Sequence, residues 1–83
     1  MKYLVIALRT AEFDTTYIDK HHAYLQKLRD LGKLETTGPF TDKSGGAYII
    51  LAGDISEAKE IAYQDPLYQS KSSTFTVYEW DAH

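Results

Sequence analysis

Along this chain the apolar residues repeat with two different periods, and the period changes at recognisable turn residues. Between Asp14 and Gly32, in DTTYIDKHHAYLQKLRDLG, a repeat of about 3.6 residues predicts an amphipathic helix with Tyr17, Ile18, Tyr24, Leu25, Leu28 and Leu31 on one stripe. His21 falls near the centre of that stripe and His22 at its margin, so the two histidines are not equivalent. A titratable ring where leucine would be expected is either a satisfied core residue or the first piece of a site. Asp14, Thr15 or Thr16 can cap the start of this helix, acidic Glu12 and Asp14 sit near its positive end, and Gly32 is placed to end it.

The other segments read as strands and one shorter helix. Tyr3 to Leu8 is apolar on both faces, which predicts a central strand. Lys33 to Phe40 alternates Leu34, Thr36 and Gly38 against Lys33, Glu35 and Thr37, a half-buried strand that Pro39 assigns to a sheet edge. Thr41 to Gly46 is turn-rich and leads to Ala47 to Ala52, apolar on both faces and the hairpin partner of the strand before it. Asp54-Ile55-Ser56-Glu57 has capping-box spacing and opens a helix with Ile55, Ala58, Ile61 and Ala62 on one face, which Asp65-Pro66 is expected to stop. Ser73 to Asp81, rich in β-branched and aromatic residues, is the last strand.

The order β-α-β-β-α-β is that of a ferredoxin-like α+β sandwich, a single domain over residues 1–83 with its first and third strands central. Right-handed crossovers place both helices on one face of the sheet. The second apolar face of the central strands then needs a cover, and a second copy of the chain is the simplest one, so a homodimer is expected.

Composition narrows the classes of function. At 43% hydrophobic and 25% charged the chain is an ordinary globule, and a net charge of −3 supplies no basic surface for nucleic acid. The absence of cysteine removes disulfides, thiolate catalysis and thiolate metal sites. The apolar run in MKYLVIALRT is too short for a signal-peptide core and far below the roughly 20 residues of a membrane span, so no membrane association and a cytoplasmic location are expected.

Two residues stand out as candidate chemistry. Taking both helices to start at the same end of the sheet and run roughly parallel, His21 lies about 10 Å along the first and Asp65 about 15 Å along the second, close enough to meet or nearly meet. An aspartate beside an imidazole fixes its tautomer and makes it a better general base near neutral pH. Each has a structural alternative, His21 as a core histidine and Asp65 as a turn starter before proline. His21-His22 is weak as a metal motif because adjacent helical residues diverge by about 100°. No P-loop, G-x-S-x-G or dinucleotide fingerprint is present, and neither a metal nor a nucleotide cofactor is indicated. Tyr24 and Tyr48 can line a pocket for a flat organic ligand or fill the core, as can Tyr78 and Trp80. Arg9, at the end of a central strand, can bind an anion or pair with a nearby acid.

The succession His21-x-Ala23-x-Leu25-x-x-Leu28, Gly32-x-Leu34-x-x-x-Gly38-Pro39, Gly46, a Glu-Ala helix and Asp65-Pro66 resembles the YciI-like (YCII) family of small bacterial proteins over nearly the whole chain. The resemblance implies a dimeric α/β barrel of ferredoxin-like units and a His/Asp active-site pair falling on His21 and Asp65. Function is mostly unassigned across that family. One characterised activity in it is dehydrochlorination of a chlorinated hydroxyhydroquinone, a lyase reaction driven by proton transfer. This chain departs from the family at Ile18, where members often carry arginine, and at Ser70-Lys71, where they carry Ala-Gly. The first change weakens the case for an anionic substrate and the second alters the pocket rim.

The reading that follows is a small cofactor-independent enzyme acting on an aromatic or enolisable substrate. His21 and Asp65 are its catalytic pair, and Arg9, Tyr24 and Tyr48 its substrate-binding residues. The competing reading is a non-catalytic homodimer that binds a small molecule or a partner, with His21 and Asp65 a structural pair.

Overall fold

Local signals start and stop each element much where the patterning places them. The computed structural model describes all residues 1–83. Strand β1 (Lys2–Arg9) leads through a 3-10 turn at Thr15–Tyr17 into α1 (Ile18–Asp30). Strands β2 (Leu34–Pro39) and β3 (Gly45–Leu51) form a hairpin, and α2 (Ile55–Tyr63) with a short α3 (Pro66–Gln69) leads to β4 (Ser73–Trp80). Asp14 accepts from the Thr16 amide at 2.9 Å to start the first turn. At the far end Gly32 takes φ +73°, its amide donates to the Arg29 carbonyl at 3.0 Å and the Lys33 amide reaches back to the Leu28 carbonyl at 2.9 Å, so carbonyls of the last turn of α1 find partners. Asp54 caps α2 by accepting from the Glu57 amide at 2.8 Å, and the Glu57 carboxylate in turn accepts from the Gly53 amide at 3.0 Å.

The sheet order is β2-β3-β1-β4 with every neighbouring pair antiparallel, so the two strands that are apolar on both faces are indeed the central ones and Pro39 lies on an edge. On the helix side, Tyr3, Val5, Tyr48 and Ile50 pack against Leu25 and Leu28 of α1 and Ala58, Ile61 and Ala62 of α2. The opposite side presents cross-strand rows Ile49–Leu4–Tyr78 and Leu51–Lys2–Trp80. In a single chain this face is open, with Tyr78 53% and Trp80 44% exposed. No helix is long and apolar enough to cross a membrane.

Four expectations are corrected. The helices are antiparallel: β1 and β3 run in opposite directions, so α1 descends from the Arg9 end of the sheet while α2 climbs towards Ser73, the residue paired with Arg9. Asp65-Pro66 ends α2 but also begins α3, because proline is preorganised for a first helical position and the Asp65 carboxylate accepts from the Leu67 amide at 2.9 Å. A bulge between Leu34 and Thr36 breaks the alternation of β2, so Thr37, paired with Tyr48, shares the helix-facing side with Leu34. Leu31 follows the last turn of α1 and is 59% exposed rather than part of the packed stripe.

The close approach of β1 and β3 makes Gly45 irreplaceable: a Cβ there would lie 1.9 Å from the Ala7 carbonyl oxygen, which no rotamer relieves. Gly45→Ala is expected to cost about 3 kcal/mol or more in urea unfolding. Gly38→Ala, where a Cβ meets nothing within 4 Å, should be close to neutral in the same measurement.

Candidate active site

Because the helices are antiparallel, the start of α1 and the end of α2 lie at the same end of the sheet. His21, one turn into α1, therefore comes opposite Asp65, just beyond α2. The His21 Nδ1 lies 2.9 and 2.7 Å from the two Asp65 carboxylate oxygens. Asp65 is fully buried and takes two further donors, the Tyr48 hydroxyl at 3.1 Å and the Leu67 amide at 2.9 Å. Three elements, α1, β3 and α3, thus converge on one carboxylate.

With Nδ1 facing an ionised carboxylate, the ring carries its proton on that nitrogen, and Nε2 is left on the opposite edge. Nε2 has no protein partner, yet no buried side-chain nitrogen or oxygen is unsatisfied, so this atom reaches solvent. The His21 side chain is 15% exposed and lines a cavity of about 250 Å³. Its walls include Ile18, Leu25 and Leu67 together with Arg9, Phe13 and His22. The cavity exists because the sheet presents little side-chain bulk beneath this end of α1: Ala7 is paired with Gly46, and Gly45 precedes it.

The structure treats the remaining candidates differently. Arg9 lines the cavity, its guanidinium carbon 4.2 Å from the centre of the Phe13 ring. The Tyr48 ring is also a wall, 6.3 Å from the His21 ring, but its hydroxyl is committed to Asp65. Burial, with the Asp65 charge and hydrogen bond adding to it, holds the Tyr48 phenol well above its ordinary range, so it serves as a permanent donor and not as a base. Tyr24 lies outside the cavity lining: its hydroxyl donates to the Ile61 carbonyl at 2.7 Å and ties α1 to α2. Burial first and the Asp65 charge second raise its phenol as well. No three His, Asp or Glu side chains converge in a way that would hold a metal ion.

The lining contains residues that patterning along the chain does not single out. His22 sits beside His21 with ring centres 5.5 Å apart, and Phe13, Leu67 and Ser73 join the wall. The pairing of Ser73 with Arg9 follows from strand register, which no single segment announces. His22 enters because the cavity opens beside the apolar stripe of α1 rather than beneath it.

A four-stranded antiparallel sheet with two helices on one face and a His/Asp pair at one end of it describes a ferredoxin-like α+β protein with a small-molecule-sized cleft. The chain belongs to the YCII family, whose YCII-related domain matches residues 1–81. A relative from Bacillus subtilis (strain 168), the uncharacterized protein YjpA, is 41% identical over 78 residues, covering 94% of this chain and 92% of that protein. Among solved structures, the 5-chloro-2-hydroxyhydroquinone dehydrochlorinase TftG from Burkholderia phenoliruptrix AC1100, in complex with 2,5-dihydroxybenzoquinone, matches with a TM-score of 0.77 and 21% sequence identity. That match covers 100% of this chain and 96% of the other, and it establishes the fold.

Two measurements follow from the site's hydrogen bonds. Asp65→Ala strands donors from His21, Tyr48 and the Leu67 amide and is expected to cost about 3–5 kcal/mol. His21→Ala should cost clearly less, because Tyr48 and Leu67 still hold the carboxylate. The raised Tyr24 and Tyr48 phenols also set an alkaline limit. In the unfolded chain they ionise near 10.0, the ordinary tyrosine value, while the folded protein keeps their protons. Their contribution is therefore complete below that pH and is lost as pH rises above it. Urea midpoints followed from pH 8 to about pH 11 should fall, and should fall less steeply in the Tyr24→Phe, Tyr48→Phe double variant.

Proposed function

We propose that this protein is a small proton-transfer enzyme of the lyase or isomerase type, with His21 as general base and acid and Asp65 as the group that orients its ring. The observation that carries this reading is the asymmetry of the pair. Asp65 is sealed and satisfied, whereas the Nε2 edge of His21 is unpartnered and faces open volume. A purely structural pair has no use for that volume. In the reaction envisaged, Nε2 takes a proton from an acidic C–H or O–H, and the electron pair moves into a conjugated carbonyl or expels a leaving group. The imidazolium then returns its proton to the product or to water.

The size of the cavity supports a one-ring substrate. An apolar cavity of about 150 Å³ accommodates benzene, so about 250 Å³ suits a substituted six-membered ring. TftG is named as a dehydrochlorinase of such a ring and was solved with a one-ring quinone, which agrees in size and in reaction type. The second reading, a non-catalytic binding module, draws on the integration of Asp65 into the fold as cap of α3 and acceptor for Tyr48.

The same reading includes a homodimer closed through the open sheet face, where the rows through Leu4 and Lys2 would meet their symmetry mates as the two halves of an α/β barrel. Sedimentation of the wild type should give a dimer, and Tyr78→Lys should shift it towards monomer without unfolding it.

The catalytic reading is tested with 5-chloro-2-hydroxyhydroquinone and related one-ring hydroxyquinones, following chloride release by ion chromatography and exchange of ring protons with solvent deuterium by NMR. His21→Ala should lower the rate on the order of 10²- to 10⁴-fold. A folded His21→Ala variant with undiminished turnover, or a wild type inert across that series, would leave the binding-module reading in its place.

A further inference from the structure

The lining of the His21 cavity is charged opposite to the protein as a whole. The chain carries a net charge of −3, yet the walls hold one guanidinium and two imidazoles, Arg9, His21 and His22, and no carboxylate. Asp65 stands behind His21, outside the lining. Two acids in the flanking loops are engaged locally: Asp14 accepts from the Thr16 amide and hydroxyl, and Asp42 from the Ser44 amide. Glu12, in the same loop as Asp14, forms no ion pair with Arg9.

Arg9 is the centre of this imbalance. It ends β1 on the helix-facing side, two residues beyond Ala7, and it makes no ion pair, although an acidic chain offers many partners. Its guanidinium is instead held over the Phe13 ring, a contact that restrains the group and leaves its N–H edge donors for another acceptor. A solvent-exposed guanidinium that lines the cavity, lies over an aromatic ring and makes no ion pair has its donors available to a planar anion.

We infer that the cavity takes a one-ring organic anion, its ring-borne oxyanion bound by Arg9 with His22 as a second donor at the mouth. The ring lies against Ile18, Leu25 and Leu67. Calling this ligand a substrate rests on the proton-transfer reading above. In that setting Arg9 also stabilises the negative charge that develops on the conjugated oxygen when Nε2 of His21 removes a proton. The cation of the site thus comes from the end of β1, and α1 contributes an apolar wall at Ile18.

The test is a binding measurement that needs no turnover. The intact protein is titrated by calorimetry with benzoate, with 2,5-dihydroxybenzoquinone as an acidic enol, and with neutral benzamide, while the imidazole signals of His21 and His22 are followed by NMR. At least one of the two acids should bind saturably and more tightly than benzamide, and the stronger acid ligand identifies carboxylate or enolate as the preferred oxyanion. Arg9→Gln should weaken that binding about tenfold or more, leave benzamide unaffected and leave the melting temperature unchanged. Benzamide binding as tightly as the acids, an Arg9→Gln effect within twofold, or no saturable binding of either acid would overturn the inference. Arg9-dependent anion binding together with undiminished turnover in His21→Ala would retain the anion site and remove the proton-transfer reading.

Discussion

The structure turns on how one buried carboxylate is satisfied. Asp65 has no exposure to solvent, and an ionised carboxylate in that position is tolerable only if donors surround it. The donors come from α1, β3 and α3, as an imidazole, a phenol and a backbone amide. The position of α1 over the sheet, the rotamer of Tyr48 and the start of α3 are therefore coupled through a single side chain. The same requirement orients His21: one edge of the ring is drawn towards the carboxylate, and the other edge is presented outward.

Placement of the pair follows from the path of the chain. In an antiparallel four-stranded sheet of this order the two helices run in opposite directions, so the start of the first and the end of the second share one end of the sandwich. Arg9, Gly45, Gly46 and Ser73 reach that same end through strand register. Small residues there are not incidental. Ala7 and the two glycines leave the volume that larger side chains fill lower down, where Tyr3 and Ile50 pack against both helices. The core and the cavity are two stretches of one interface, distinguished by side-chain size.

Charge and hydrophobicity are likewise distributed unevenly. The acids lie on surfaces and in caps, while the cavity is lined by apolar side chains with Arg9, His21 and His22 among them and no carboxylate. The far side of the sheet carries aromatic and aliphatic rows that a single chain leaves in water. Such a face is costly for a domain of this size, which buries a smaller fraction of its surface than a larger one. A second copy would relieve that cost without disturbing the end of the sandwich where His21 and Asp65 meet.

Much of this was legible in the residues alone. Two-sided apolar runs identified the central strands, a proline identified an edge, and helical phase separated His21 from His22, because these are properties of neighbouring residues on one element. Asp65 was recognisable as a turn residue, but its capping of a further helix depended on whether the backbone after α2 had room to turn again. Tyr24 and Tyr48 looked equivalent as pocket candidates. Only the packed structure separated them, by placing the Ile61 carbonyl within reach of one hydroxyl and Asp65 within reach of the other. The sequence by itself determined the order of the four strands and two longer helices, the two-sided burial of the central strands, and the two residues around which a site could form. The opposed direction of the helices, the cavity beside His21 and the unpaired state of Arg9 were decided by tertiary structure, since each depends on distances between segments far apart along the chain.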